Sequence, residues 1–274
     1  MTIRSLELTF FVIGDTRFGY NQKFIGDDCR GEIISQINDL PGWIFPDRIG
    51  GVVDRPSFVY HCGNLISGHG TTDLHYYRYF AEFLKYPLYE GYGNKDSPCI
   101  DYFVQKYGST SYSFVCDGIH FISLDSWHKN KKRFAQSVIE FLDRDLSNSR
   151  AENPIIVFSY NRVDDTENGE KILNCLADQK VLLMISCDEH VPNILHREIV
   201  YRIRDIPCIQ VGHAHFHPTE PEYSRNFHVI RIQDGKLISL PWRWDLKNWE
   251  NGQNWTDAEA AAKRHILIDY FSRI

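Results

Sequence analysis

Several apolar runs in this chain stop at a small residue followed by a polar one, and that recurrence limits the fold more than any other feature. Residues 6–13 run into Gly14-Asp15-Thr16-Arg17, and residues 58–62 into Gly63-Asn64-Leu65-Ile66-Ser67. Residues 181–186 run into Cys187-Asp188-Glu189-His190, and Gly93-Asn94-Lys95-Asp96 is a further turn of the same kind. Short apolar runs bounded by turn residues predict buried strands. In α/β proteins the carboxyl edge of such strands is where side chains from distant segments converge into a site. One Gly-polar turn says little, whereas four in order point to one shared pocket.

Between these runs the apolar spacing changes to three and four. That spacing predicts helices over 72–84, 100–107 and 167–177, and one carrying Phe134, Val138, Phe141, Leu142 and Leu146 on a single face. Asp117-Gly118 predicts a hairpin turn between strands at 111–116 and 120–124. Further strands are expected at 155–159, 207–211, 227–232 and 236–240, with an Ala-rich C-terminal helix over 257–272. Strands alternating with helices and hairpins predict an α/β (α+β type) layered sandwich, read as one domain over 1–274.

Composition narrows the function classes. A chain of 274 residues can bury a sizeable core without disulfides. Its seven cysteines are odd in number and form no C-x-x-C pair, so reduced, buried thiols are expected. The formal net charge is −6, from 30 basic and 36 acidic residues, which argues against a dedicated nucleic-acid surface. Residues 1–11 carry Arg4 and Glu7, unlike a secretory leader, and no apolar run approaches the ~18 residues of a membrane span. The expectation is a cytoplasmic protein without membrane contact.

The strand-end series resembles that of the calcineurin-like metallophosphoesterases, whose strand ends read GDxH, GDxxD, GNH followed by Asp or Glu, a strand ending in His, and GHxH. The likeness spans roughly residues 6–240. It implies a β-sandwich flanked by helices and a phosphoester-hydrolysing centre. There two metal ions about 3.5–4 Å apart share a bridging Asp and activate water. On this resemblance Asp15 matches the first Asp and Asn94 the Asn ligand. Arg17 stands at the first His, Asn64 at the bridging Asp, Ser67 at the last Asp of that motif, and Lys95 at the His after Asn94. Tyr160 replaces the next His.

The final motif has two registers. Cys187-Asp188-Glu189-His190 follows a predicted strand at the spacing from Tyr160 that the resemblance implies, and is favoured. Gly212-His213-Ala214-His215 is a literal GHxH further along. On the favoured register Asp15, Asn94 and His190 retain ligand types, while Arg17, Asn64, Tyr160 and Asp188 do not. An amide cannot offset the repulsion between two close dications, and arginine stays protonated and cannot ligate. A pseudoenzyme without a metal cofactor is therefore expected, acting as a binding, regulatory or scaffold subunit with a protein partner or as an oligomer. One alternative is a divergent phosphoesterase or nuclease. It would hold a single divalent cation (Mn, Mg or Zn) through Asp15, Asn94, Asp188 and His190, with His213 or His215. Another is a phosphate or nucleotide sensor, in which the cations Arg17 and Lys95 bind an anion instead of pairing with Asp15 and Asp188.

Two further features stand apart from the pocket. The basic run Lys129–Arg133 precedes a predicted helix and reads as a solvated loop or a contact for an acidic partner. Trp242, Trp244, Trp249 and Trp255 read as core packing or as interface anchors.

Overall fold

The computed structural model describes residues 6–19, 29–47, 49–149, 153–187, 200–214, 226–233, 235–249 and 266–269. Two mixed sheets face each other. In the first, β1 (Leu8–Ile13) runs parallel to β2 (Phe58–His61), which runs parallel to β3 (Leu88–Glu90). On its other side β1 pairs antiparallel with β12 (Asn226–Gln233), and β12 with β13 (Lys236–Arg243). Both β14 (Asn248–Trp249) and β15 (Ile266–Asp269) then pair with β13.

In the second sheet, β5 (Ile119–Leu124), β8 (Ile155–Ser159), β9 (Val181–Ser186) and β11 (Ile206–Gln210) are parallel neighbours in that order. Antiparallel edges are added by β4 (Tyr112–Cys116) and β10 (Val200–Ile203).

The apolar runs are continuous because both faces of these strands are covered. Phe10 and Val12 of β1 point into the sandwich with Phe58, Phe121, Phe158 and Ile185, whereas Phe11 and Ile13 point outward. The ring of Phe58 stacks on Phe10 at 5.1 Å and meets Phe121 edge-on at 5.0 Å. Tyr60 stacks on Phe158 at 3.6 Å. At the β3–β4 edge Tyr89 stacks on Phe114 at 3.8 Å and closes the sandwich. Burying each such ring contributes about 2–3 kcal/mol before its ordering entropy is counted.

Helices cover the outer faces. Helix α1 (Cys29–Asp39) lays Ile33 and Ile37 on the first sheet. Helices α4 (Gln136–Asn148) and α5 (Gly169–Cys175) lay Val138, Leu142, Ile172 and Leu173 on the second. Helices α2 (Thr71–Ala81) and α3 (Ile100–Tyr107) pack around Phe18, Leu65 and Ile66, directly after the ends of β1 and β2. Among the described residues, no helix is long and apolar enough to cross a membrane.

The structure corrects two sequence expectations. The predicted helix over 257–272 is not helical at 266–269, where the backbone pairs antiparallel with β13 from Lys236↔Asp269 to Ser239↔Ile266. The β-branched Ile266 and Ile268 in this apolar run favour that pairing over a helix. The basic run is a hairpin and not a loop: β6 (Trp127–His128) pairs with β7 (Lys131–Lys132) around Lys129 and Asn130, whose φ angles are 50° and 60°. Two of its cations face acids of the same chain, Lys132 at 3.5 Å from Asp165 and Arg133 against Glu167.

The indoles of Trp242, Trp244 and Trp249 are buried, and each N–H donates, to Gln36, Ala214 and Ile44 respectively. Trp255 lies outside the described residues. Among the described residues, Cys62, Cys99, Cys116, Cys175, Cys187 and Cys208 are not in disulfides.

Candidate functional site

The chain leaves β1 and β2 as two adjacent loops that remain hydrogen-bonded past the strand ends. Asp15 N–H donates to Gly63 O at 3.0 Å, Arg17 N–H to Asn64 O at 3.0 Å, and Phe18 N–H to Leu65 O at 2.9 Å. Keeping that register while the chain turns puts Asp15, Arg17 and Asn64 in the left-handed region, at φ 54°, 46° and 54°. Asp and Asn tolerate this conformation, but for Arg it is strained by roughly 1 kcal/mol or more.

Gly93 is required by proximity. A Cβ there would lie 2.4 Å from Asn64 N, a backbone atom that cannot rotate away, and 2.5 Å from its Oδ1. Asp96 ties the third turn to the second by accepting from the N–H groups of Asn64 (2.8 Å), Gly93 (2.9 Å) and Ile66 (3.2 Å). Burial pushes its carboxyl up to about 7, against the opposing pull of those N–H groups.

Four of the sequence-predicted residues meet at the centre. Asp15 is fully buried, and its Oδ1 accepts from Nε of Arg17 at 2.9 Å. Arg17 is itself buried and also bonds the Tyr160 hydroxyl. Burial opposes its charge, but Asp15 and Tyr160 outweigh that and hold its pKa above the ordinary arginine value. Asn64 has both ends of its amide occupied: Nδ2 donates to the Tyr160 hydroxyl, and Oδ1 accepts from Lys95 N–H at 2.9 Å. Tyr160 reaches in from the end of β8, so the cluster joins both sheets.

The remaining predicted residues lie around this centre. His213 brings Nδ1 to 3.1 Å from Asp15 Oδ2, and the next residue, Ala214, donates its N–H to Gly14 O at 3.0 Å. Cys187 packs so closely on Gly14 that a Cβ there would lie 1.9 Å from its Sγ. Both candidate last motifs thus reach the first strand end. Asn94 is half-buried, and its Oδ1 is buried without a hydrogen-bond partner. The half-buried side chain of Lys95 makes no ion pair among the described residues. Ser67 turns away from the centre and donates to Asp73 at 2.6 Å. Asp188, His190 and His215 lie outside the described residues.

The roles of two residues of the site could not be read from the sequence. His61 is the last residue of β2, and its Nε2 lies 2.9 Å from the Thr16 hydroxyl. Burial drives its pKa down to about 3, against an opposing pull from Asp15, so the ring is neutral. Asp96 was visible only as the acid closing the Gly93 turn, and a sequence cannot show that its oxygens turn back onto three backbone N–H groups.

The dinuclear centre implied by the strand-end series does not fit the described donors. The bridging position is an amide occupied at both ends, and a guanidinium lies on the first carboxylate. Among the described residues, no three His, Cys, Asp or Glu side chains gather to hold a metal ion.

The chain's structural neighbours include vacuolar protein sorting 29 from Cryptosporidium parvum. That match has 12% identity and a TM-score of 0.45, and covers 86% of this chain and 91% of the other. A conserved predicted phosphoesterase from Streptococcus pneumoniae TIGR4 matches with 12% identity and a TM-score of 0.42, over 89% and 94% of the two chains. Phosphopantetheinyl hydrolase from Mycobacterium tuberculosis matches with 9% identity and a TM-score of 0.40, over 76% and 91%. No family model and no curated relative matches the sequence. At such identities the likeness lies in the course of the chain and assigns no residue a role.

Proposed function

We propose that this chain is a non-catalytic protein of phosphoesterase-like fold that acts as a binding, regulatory or scaffold subunit for a protein partner. One observation carries the reading. The position where a bridging carboxylate would hold two cations is Asn64, whose neutral amide is bonded on one side to Tyr160 and on the other to the backbone of Lys95. Two dications a few ångströms apart need negative charge between them, and an amide with both ends occupied supplies none. Exposed apolar side chains on the hairpin over residues 42–53, Trp43 at 49%, Ile44 at 71% and Val52 at 48%, suit a protein partner.

The test is hydrolysis of a nitrophenyl phosphate ester by the purified chain with Mn²⁺ added. The expected result is no turnover above that of free Mn²⁺. Metal-dependent turnover that is lost in Asp15→Ala would overturn the reading and favour a divergent enzyme with a single ion.

The half-buried Lys95, without an ion pair among the described residues, favours a second reading: a phosphate-containing ligand at the pocket edge. Inorganic phosphate or a nucleotide would then raise the melting temperature by mass action, and Lys95→Gln would abolish the rise. A melting temperature that phosphate and nucleotides leave unchanged would exclude it.

A further inference from the structure

Asp15 poses a problem that the fold must solve. Its carboxylate is fully buried at the junction of the two sheets, and a buried charge is tolerated only with a compensating partner. The resembled family would answer with metal ions. Here the described donors do not suit them, and the compensating charge comes from two residues along the same loop.

We infer that Arg17 is a tethered cation that takes over the structural task of a metal ion, so that its guanidinium locks the ends of β1, β2 and β8 together. This rests on the reading that the pocket is non-catalytic. Three observations carry it. Arg17 Nε lies 2.9 Å from Asp15 Oδ1, and the same side chain bonds Tyr160 from the opposite sheet. Tyr160 in turn accepts from Asn64, so one cation organises groups from three strand ends, as a bound ion would. Arg17 holds this place with a left-handed backbone at φ 46°, a conformation that costs an arginine roughly 1 kcal/mol or more and that its buried ion pair offsets. Arginine suits the task because its planar fork presents several donors at once and stays charged when buried.

The inference has a direct test. Arg17→Met removes the charge and keeps much of the bulk, Arg17→Lys keeps a charge without the fork, and Arg17→Gly relaxes the backbone and opens a guanidinium-sized space. The expected order of melting temperature is wild type, then Lys, then Met, with Met lower than wild type by roughly 10 °C. Methylguanidinium should restore part of the loss in Arg17→Gly, and NaCl of equal ionic strength should not. Wild type should melt at the same temperature with EDTA as without it.

Should Arg17→Gly fail to fold, the Lys–Met comparison decides. An Arg17→Met protein as stable as wild type, or a wild type that loses stability in EDTA, would overturn the inference. Metal-dependent hydrolysis by wild type would instead overturn the functional reading, a separate outcome from any of these melting curves.

Discussion

The side-chain amide of Asn64 donates to the hydroxyl of Tyr160, tying the end of β2 in one sheet to the end of β8 in the other. The same hydroxyl is bonded to Arg17, so a single phenol oxygen serves two residues of the facing strand ends. Tyr160→Phe keeps the ring and removes that oxygen. The expected loss is about 1–3 kcal/mol of unfolding free energy, because both buried partners lose a bond. Urea unfolding monitored by fluorescence measures it, and an unchanged midpoint would show that the junction does not depend on this oxygen.

Gly93→Ala tests the close approach of the second and third turns. The added methyl would lie 2.4 Å from Asn64 N, a backbone atom that cannot rotate away. The turns must then separate, at a cost of about 3 kcal/mol. Gly108→Ala supplies the comparison. There a Cβ meets nothing within 4 Å, and only the left-handed φ of 80° resists it, so its loss should be about 1 kcal/mol.

Away from the pocket, Glu90 is another buried carboxylate with a different solution. Its oxygens accept from Tyr77 and Tyr102 at 2.8 Å each, and from Tyr107 and Lys106 at 2.5 Å each. These donors come from α2 and α3, so Glu90 fastens both helices to β3. Glu90→Gln removes the charge and turns one acceptor into a donor among donors. A loss of about 3 kcal/mol is expected in equilibrium unfolding, together with faster hydrogen exchange in α3.

His61 sets part of the pH dependence. Its folded pKa of about 3 lies below the ordinary 6.5, so the neutral buried ring contributes stability above pH 6.5. That contribution is lost as the pH falls from there toward 3, because the unfolded chain takes up a proton that the folded one refuses. His61→Gln should flatten the fall in stability between about pH 6 and pH 4, by up to about 1.4 kcal/mol per pH unit. Identical slopes for the two proteins would mean that His61 titrates normally.

Much of the fold was legible because its strands are buried on both faces. Val181–Ser186 and Ile155–Ser159 are solid apolar runs, and both form strands with the predicted bounds. Helix α3, Ile100–Tyr107, was legible from its spacing, and the structure ends it at Gly108, which takes the left-handed position after it. Three-residue β3 was not, since Leu88–Glu90 is too short to show a period. Helix α1 was missed because its buried Ile33 and Ile37 stand in a mostly polar segment. The C-terminal helix was predicted from alanines, whereas the Ile266–Asp269 strand is set by its pairing with β13, a long-range contact that no local pattern reports.

The site was legible as a set of positions and only in part as a bonding pattern. Asp15, Arg17, Asn64 and Tyr160 do converge, as the strand-end series implies. The pairing of Arg17 with Asp15 was legible too, as a cation placed to neutralise a pocket carboxylate, whereas the left-handed backbone that turns Arg17 inward and its bond to Tyr160 are shown only in three dimensions.

The proposal of a non-catalytic chain requires a pocket without metal ions. The most direct measurement is the metal content of the purified chain, by mass spectrometry, after incubation with excess Mn²⁺ and Zn²⁺ and removal of free ions. Well below one ion per chain is expected, unchanged in Asp15→Ala. One or more ions per chain, lost in Asp15→Ala, would contradict the proposal.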